Sequence, residues 1–168
     1  MNKLSLEIRE AIAMSYDFSQ FEKVVEFVNN ENIISPSILN LYPKVKITLA
    51  VSHDILEEIK KTPEINDNFK ITNFDFFHAI PEKSLLYLIY NLFVQVKQEL
   101  IVKFLENLYK STEVYTRLLI IDKFNDEKYF NSNWASNPYN ELIKNAGFTV
   151  TNLILTGTEF KIIEVLRN

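Results

Sequence analysis

The C-terminal part of the sequence constrains the fold most strongly. Two segments with alternating apolar and polar residues, 149–155 and 159–166, are separated only by Thr156-Gly157-Thr158. Three residues are too few for the crossover that parallel strands need, so these two strands must form an antiparallel hairpin. Any sheet that this chain builds therefore ends in an antiparallel pair.

The rest of the chain alternates between strand-like and helix-like segments. Predicted strands cover 23–28, 44–51, 69–73, 84–93 and 117–123. Predicted helices cover 4–15, 32–42, 54–61, 97–110 and 138–145. Several of the strands are apolar without alternation, as expected when helices cover both faces of a parallel sheet. The sequence thus predicts an α/β fold, mostly parallel, with a C-terminal antiparallel hairpin.

Composition restricts the function classes. The chain has 168 residues, which suits one domain, and a net charge of -4 without a block of one sign. We therefore expect no nucleic-acid partner and no membrane partner. It has no cysteine, which excludes disulfides and thiolate metal sites. No apolar run approaches the ~18 residues of a membrane span, and the N-terminus lacks a signal-peptide pattern, so we expect a soluble cytoplasmic protein.

Glycine is scarce and aromatic residues are abundant. The chain has two glycines, whereas average usage of roughly 7% predicts about twelve. It also has 13 phenylalanines and 8 tyrosines. Few positions therefore allow a ligand to approach the backbone closely, and large rings must fill the interior or an interface.

Four segments, taken in order, resemble the catalytic domain of plant- and bacterial-type O-methyltransferases that use S-adenosylmethionine (SAM). They are 17–28 (DFSQFEKVVEFV), 73–92 (NFDFFHAIPEKSLLYLIYNL), 99–123 (ELIVKFLENLYKSTEVYTRLLIIDK) and 141–165 (ELIKNAGFTVTNLILTGTEFKIIEV). The resemblance implies a Rossmann-like class I methyltransferase sheet of seven strands. It also implies that 1–168 is one methyltransferase-like domain, without the helical N-terminal dimerisation domain of the family.

The resemblance places the cofactor-binding loop after the first strand. Here the family has an acid followed by a glycine-rich run, whereas this chain keeps Glu26 but has Val28 in place of the first glycine. A β-branched residue disfavours positive φ. Asparagine tolerates left-handed geometry, so we expect Asn29, Asn30 and Asn32 to preserve the turn.

Two further cofactor positions differ from the family. Val51 stands where the family has an acid that bonds the ribose hydroxyls. Asp75 and Phe76 match residues that lie near the adenine, but the preceding glycine is Phe74. We predict that the ring of Phe74 lines or occupies adenine space. The interpretation we favour for the group is structural: Asp75 caps a turn, while Phe74, Phe76 and Phe77 fill the core.

The general base of the family is a histidine after the fourth strand. At the corresponding positions this chain has Val94-Gln95-Val96, and neither valine can accept a proton. The histidines present, His53 and His78, are expected to be solvated polar residues. They are too far apart in sequence to suggest a metal site.

The leading hypothesis is a catalytically inactive methyltransferase-like protein that acts as an interaction subunit or scaffold. It expects no catalytic residue, no metal and no cofactor, with Glu26, Asp75 and Phe76 as vestigial cofactor positions. The partner would be a second copy or another protein, contacted through the helix at 4–15 and around Trp134. That helix could equally pack on its own chain.

Two alternatives remain open. A repurposed enzyme would act on a small metabolite without SAM, using new polar groups in the old pocket. The candidates are Asp75, Glu26, Tyr90, Asn91 and Gln95. A sensor would instead bind a small-molecule ligand and signal its presence to a partner.

Overall fold

A computed structural model describes residues 3–78, 80, 82–123 and 138–168. The strands are β1 Lys23–Val28, β2 Lys46–Ser52, β3 Phe69–Phe74, β4 Leu86–Tyr90, β5 Arg117–Lys123, β6 Phe148–Leu155 and β7 Phe160–Arg167. The helices are α1 Leu6–Met14, α2 Ser35–Leu41, α3 Leu56–Lys60, α4 Leu92–Gln95, α5 Gln98–Ser111 and α6 Pro138–Asn145. Short 3-10 turns cover Phe18–Gln20 and His53–Ile55.

The strands form one seven-stranded sheet in the order β3-β2-β1-β4-β5-β7-β6. Strands β1 to β5 are parallel, while β7 runs antiparallel to both β5 and β6. The mostly parallel sheet with a C-terminal antiparallel hairpin is confirmed. Gly157 turns the hairpin with a φ of 73°, a value that glycine adopts without strain.

Two hydrophobic clusters cover the faces of the sheet. The first lies under α1, α2 and α3 and includes Ile12, Ile38 and Val51. The second lies under α4, α5 and α6 and includes Phe104 and Ile143. This arrangement follows from the continuously apolar strands, since each strand offers side chains to both layers.

Helix α1 packs on its own chain. Ser5 caps it, because its Oγ accepts a hydrogen bond from the Ile8 backbone N–H at 3.3 Å. Ile12 is fully buried in the first cluster, and Arg9 forms two hydrogen bonds with Glu64 at 2.7 and 2.9 Å. The sequence left open whether this helix packs on its own chain or on a partner, and in the structure it packs on its own chain.

One predicted element is wrong. The apolar run 84–93 is not a single strand, because β4 ends at Tyr90 and α4 begins at Leu92. Asn91 between them has a φ of 58°, a left-handed conformation that asparagine tolerates. The turn that it makes returns Leu92 and Phe93 to the second cluster, which is why the run stays apolar past the end of the strand.

Candidate functional site

The candidate site lies at the carboxyl edge of the sheet, where the parallel strands β1 to β5 end. Glu26, near the end of β1, is fully buried on the α2 side. Its two carboxylate oxygens accept hydrogen bonds from the backbone N–H groups of Ile34 at 2.8 Å and Ser35 at 2.9 Å. Helix α2 has no side-chain cap of its own, so Glu26 supplies that cap from the neighbouring strand.

Burial and hydrogen bonding shift the pKa of Glu26 in opposite directions. Removal of the carboxylate from water raises its pKa to about 7, although the N–H donors of Ile34 and Ser35 partly oppose the change. Because both oxygens are engaged within the chain, the side chain acts as part of the β1–α2 connection.

Asparagine side chains hold the loop that follows β1. Asn30 Oδ1 accepts from the Asn32 backbone N–H at 2.9 Å, and Asn32 Oδ1 accepts from the Leu4 N–H at 2.7 Å. The described non-glycine residues with positive φ are Asn91 and Tyr115, so the left-handed geometry expected here is wrong. The loop turns through side-chain hydrogen bonds to the backbone, which asparagine makes readily.

Val28 and Val51 form an apolar pair at the ends of β1 and β2. They are register partners in the parallel ladder, and each is at most 1% exposed. Both belong to the first hydrophobic cluster, on the α2 side of the sheet. Val28 stands where the family has its first loop glycine, and Val51 stands where it has the ribose-binding acid. In this chain the two positions are thus neighbours within one apolar cluster.

Phe74, the last residue of β3, is buried in an aromatic group on the other face. Its ring centroid lies 4.8 Å from that of Phe27, 5.0 Å from Phe76 and 6.0 Å from Phe104. The expectation that Phe77 also fills the core is wrong, since it is 62% exposed. The chain turns at Asp75 and carries Phe77 away from the sheet.

Asp75 organises that turn. Its Oδ1 accepts from the backbone N–H groups of Phe77 at 2.7 Å and His78 at 2.9 Å, while its Oδ2 lies 2.5 Å from His78 Nδ1. Slight burial favours a higher pKa for Asp75, but the bonds from the His78 ring and the two amides lower it overall. The structure therefore has the turn-capping role that we favoured for Asp75.

Asp122 near the end of β5 is a buried acid that the sequence reasoning missed. Its Oδ2 accepts from the Phe93 backbone N–H at 2.9 Å, at the start of α4. Burial raises its pKa to about 7 against the effect of the backbone donors around Phe93. The sequence signal for Asp122 was an acid that directly follows the apolar run 118–121. Asp122 and Glu26 thus hold helix starts on opposite faces of the sheet.

The remaining candidates are dispersed. Val94 is 57% exposed on α4, and the neighbouring Gln95 is also exposed, with its Oε1 3.4 Å from Asn30 Nδ2. His53 is exposed immediately after β2. Within the described ranges no three His, Asp or Glu side chains are grouped as metal ligands would be. Trp134 lies outside the described residues.

Two open cavities lie at the opposite, amino edge of the sheet. One, of about 590 Å³, is lined by Lys23, Lys46, Lys70 and Glu82 among others. Glu82 bridges Lys23 at 2.7 Å and Lys70 at 2.6 Å across this cavity. The other, of about 550 Å³, is more apolar and includes Phe21. Both are remote from the carboxyl edge, where the candidate residues are found.

Strand order, the parallel β1 to β5 ladder and the closing hairpin define a class I, Rossmann-like methyltransferase fold. The sequence model of the O-methyltransferase domain matches residues 1–149, and the chain belongs to that family.

Known relatives agree with this assignment. The chain is 26% identical over 131 residues to the mitomycin biosynthesis 6-O-methyltransferase of Streptomyces lavendulae, covering 76% of this chain and 38% of that protein. Its fold matches that of a mitomycin 7-O-methyltransferase with a TM-score of 0.82 at 22% identity, covering 98% of this chain and 54% of the other. Human N-acetylserotonin methyltransferase matches with a TM-score of 0.78 at 17% identity, covering 95% and 51%.

The chain spans about half the length of these solved structures and less of the curated relative. In the part of the chain that the structure describes, no helix has the length and apolar character needed to cross a bilayer.

Proposed function

We propose that this chain is a family member that does not transfer methyl groups from SAM and acts as an interaction subunit in the cytoplasm. The observation that carries the proposal is the buried register pair of Val28 and Val51. A cofactor site on this fold needs backbone access at the first position and a hydrogen-bond acceptor at the second. The pair provides a packed apolar contact in place of both.

The residues at the carboxyl edge do not fit SAM. Val51 has no acceptor for ribose hydroxyls, and the oxygens of Glu26 are both held by the start of α2. The Phe74 ring occupies space beside Phe27 that a glycine would leave open. A ligand of this size would have to displace packed side chains, and each displaced contact costs binding free energy.

The expected proton acceptor is also missing. The exposed Val94 stands at the register of the family's catalytic histidine, and a valine side chain cannot act as a general base. The losses at the loop and at the ribose position concern cofactor binding, and the loss of the base concerns proton transfer. Together they favour a chain that keeps the fold for another use.

Exposed apolar side chains support the interaction role. Those with the largest exposed fractions in the described residues are Tyr115 at 74%, Met14 and Leu155 at 71%, and Phe77 at 62%. These side chains lie on separate elements, so each supports the interaction role as a single contact point and not as part of one patch. A partner would remove them from water and gain the corresponding hydrophobic free energy.

A repurposed enzyme is the second candidate, and the Asp75–His78 pair favours it. Asp75 is fixed by two backbone amides and orients Nδ1 of His78, which leaves Nε2 of this exposed ring available as a base. Among the other polar candidates, Glu26, Tyr90 and Asn91 are buried. They would be less accessible to a metabolite than this pair.

Isothermal titration with SAM and with S-adenosylhomocysteine tests the leading proposal. We expect no binding up to millimolar ligand. A dissociation constant below about 100 µM, equivalent to about 5 kcal/mol of binding free energy, would contradict it. Thermal unfolding provides an independent check, since ligand at 100 times its dissociation constant would stabilise the fold by about 2.7 kcal/mol.

A further inference from the structure

The larger of the two cavities at the amino edge of the sheet has a wall of lysines from three neighbouring strands. Lys23 on β1, Lys46 on β2 and Lys70 on β3 line this cavity, which we call the lysine cavity. In the sheet register Lys23 lies beside Lys46, and Lys70 lies beside Thr48. Residues two apart in a strand share a face, so these four side chains leave the sheet on the same face. Like charges opposite one another destabilise a sheet, and a bound anion would offset that cost.

Thr48 adds a hydroxyl group to the same cavity. The residue is 3% exposed and is one of the residues that line the cavity. Within the described ranges its side chain forms no hydrogen bond. A hydroxyl can donate one hydrogen bond, and a buried hydroxyl without a partner costs free energy. A ligand oxygen among the lysines would accept this bond, so the buried donor and the cationic wall indicate the same kind of ligand.

Glu82 shows that the lysine cavity accommodates anionic oxygens. Its Oε1 accepts from Lys23 Nζ at 2.7 Å, and its Oε2 accepts from Lys70 Nζ at 2.6 Å. These two ammonium groups lower the pKa of Glu82 below its ordinary value, so the carboxylate is charged at neutral pH. Lys46 pairs instead with Glu22, which is 81% exposed, and pairs this exposed contribute little in water. A ligand anion can therefore displace Glu22 from Lys46 at small cost.

The second cavity at this edge, which we call the apolar cavity, adjoins the first. The residues that line both are Pro43, Lys44 and Val45. Lys44 at this junction is exposed and forms no ion pair with another described residue. Phe21 and Leu41 are among the side chains that line the rest of the apolar cavity. Apolar walls beside a few charged groups are typical of small-molecule sites, and both volumes lie in the usual range.

We propose that the lysine cavity and the apolar cavity form one binding site for a small organic phosphate. Its phosphate group would bind Thr48 and the lysines, and its apolar or aromatic portion would lie against Phe21. Lysine suits phosphate because it acts as a point charge, and a monoester carries about -1.5 to -2 charges at pH 7. The site lies at the opposite edge from Glu26 and the carboxyl ends of the strands. The proposal thus goes beyond the interaction role and does not rest on it.

Titration of the isotope-labelled full chain with phenyl phosphate, followed by amide NMR shifts, tests both the affinity and the location. We expect saturable shifts around residues 44–48 and 69–70, with a dissociation constant below about 1 mM. Benzoate, phenol and inorganic phosphate lack the second charge, the anion and the ring, respectively, so each should bind at least about threefold more weakly. No saturation by about 10 mM phenyl phosphate, or equal affinity for phenol, overturns the proposal.

Two substitutions remove donors from the lysine cavity. Thr48→Val keeps a β-branched side chain in the strand and should weaken phenyl phosphate binding by about tenfold, the usual effect of a lost hydrogen bond to a charged group. Lys46→Gln should weaken it by about threefold, because this lysine is largely exposed. Lys60→Gln, which removes an exposed lysine from α3, is the control and should leave affinity unchanged. Wild-type affinity in Thr48→Val, with folding verified by circular dichroism, overturns the proposal.

Glu82 allows a test in the opposite direction. Glu82→Gln removes the carboxylate that holds Lys23 and Lys70, so it should tighten phenyl phosphate binding by at least about threefold. If these ion pairs served stability alone, the variant would weaken the fold without a gain in affinity, and that result would contradict the proposal. None of these measurements uses SAM, so failure here and failure of the SAM proposal are distinguishable.

Discussion

The backbone N–H of Ser35 donates a 2.9 Å hydrogen bond to the carboxylate of Glu26, so an acid in β1 holds the first turn of α2. The acid lies where the family resemblance places a cofactor-binding residue. Its partners in this chain are the helix start and the surrounding core. Stability should therefore respond strongly to its protonation.

Replacement of Glu26 by glutamine should reduce the pH dependence of unfolding. Burial raises the folded-state pKa of Glu26 from 4.5 to about 7, so the folded chain holds a proton that the unfolded chain releases between these values. Stability from this group is complete below pH 4.5 and falls as pH rises to about 7. Urea unfolding from pH 5 to pH 8 should show a loss in the wild type that exceeds the loss in Glu26→Gln by about 1–3 kcal/mol.

Asp122 offers a parallel test of the same effect. Its pKa is also raised to about 7, so Asp122→Asn should further reduce the loss of stability between pH 5 and pH 8. The double variant should have the flattest profile over this range. Superimposable profiles for the wild type and both single variants would show that neither acid is protonated in the folded chain.

Phe74→Ala should destabilise the chain by about 3 kcal/mol, the usual cost of removing a large buried ring. The ring is 5% exposed and packs against Phe27, Phe76 and Phe104. Phe77→Ala is the matched control, because that ring is 62% exposed and should cost little. Equal urea midpoints for the two variants would mean that the Phe74 ring contributes no packing.

Gly147→Ala should destabilise the chain more than Gly157→Ala. Both glycines have positive φ, 97° and 73°, so both alanines incur backbone strain of order 1 kcal/mol. A Cβ at Gly147 would also lie 2.7 Å from Cε2 of Tyr109, whereas nothing lies within 4 Å of one at Gly157. Thermal denaturation of the two variants measures the difference, and a larger effect at Gly157 would contradict the packing of Tyr109 over the turn.

Removal of Glu64 should weaken the fold because it leaves the Arg9 guanidinium without its partner. The Arg9 side chain is 8% exposed and makes both of its hydrogen bonds with Glu64. Allowing for the 40% exposure of Glu64, we expect Glu64→Ala to cost about 1–2 kcal/mol. Glu22→Ala, which breaks the solvent-exposed pair with Lys46, serves as control and should leave the urea midpoint unchanged within error. Equal effects of the two variants would argue against a partly buried pair.

Much of the fold could be predicted because periodicity and burial agree. The predicted strand at 117–123 and helix at 138–145 coincide with β5 and α6. The run 84–93 was predicted as one strand because Leu92 and Phe93 are also apolar, although they belong to α4. Asn91 is the residue that marks the turn between β4 and α4. An apolar run indicates that its residues are buried, but it does not distinguish a buried strand from a buried helix that follows it.

The candidate site was less accessible to prediction. Resemblance placed Glu26, Val51 and Phe74 at the ends of strands, and the structure has them there. The partners of Glu26 are backbone groups eight and nine residues away, and a backbone donor has no sequence signature. Phe77 is exposed since Asp75 turns the chain, an effect of hydrogen bonding that aromatic content cannot reveal.

The position of β1 beside β4 has a consequence for how this chain folds. The strands of the sheet fall into two groups along the sequence. Residues before 79 supply the neighbouring strands β3, β2 and β1, and residues after 81 supply the neighbouring strands β4, β5, β7 and β6. The two groups meet in the sheet along one seam, with Val25 opposite Tyr87 and Phe27 opposite Ile89. Closing the seam joins segments about 60 residues apart, which costs loop entropy that local pairing such as the β6–β7 hairpin avoids. Among the described ladders, β1–β4 joins the segments that lie farthest apart in sequence, so its closure carries the largest loop-entropy cost in the sheet.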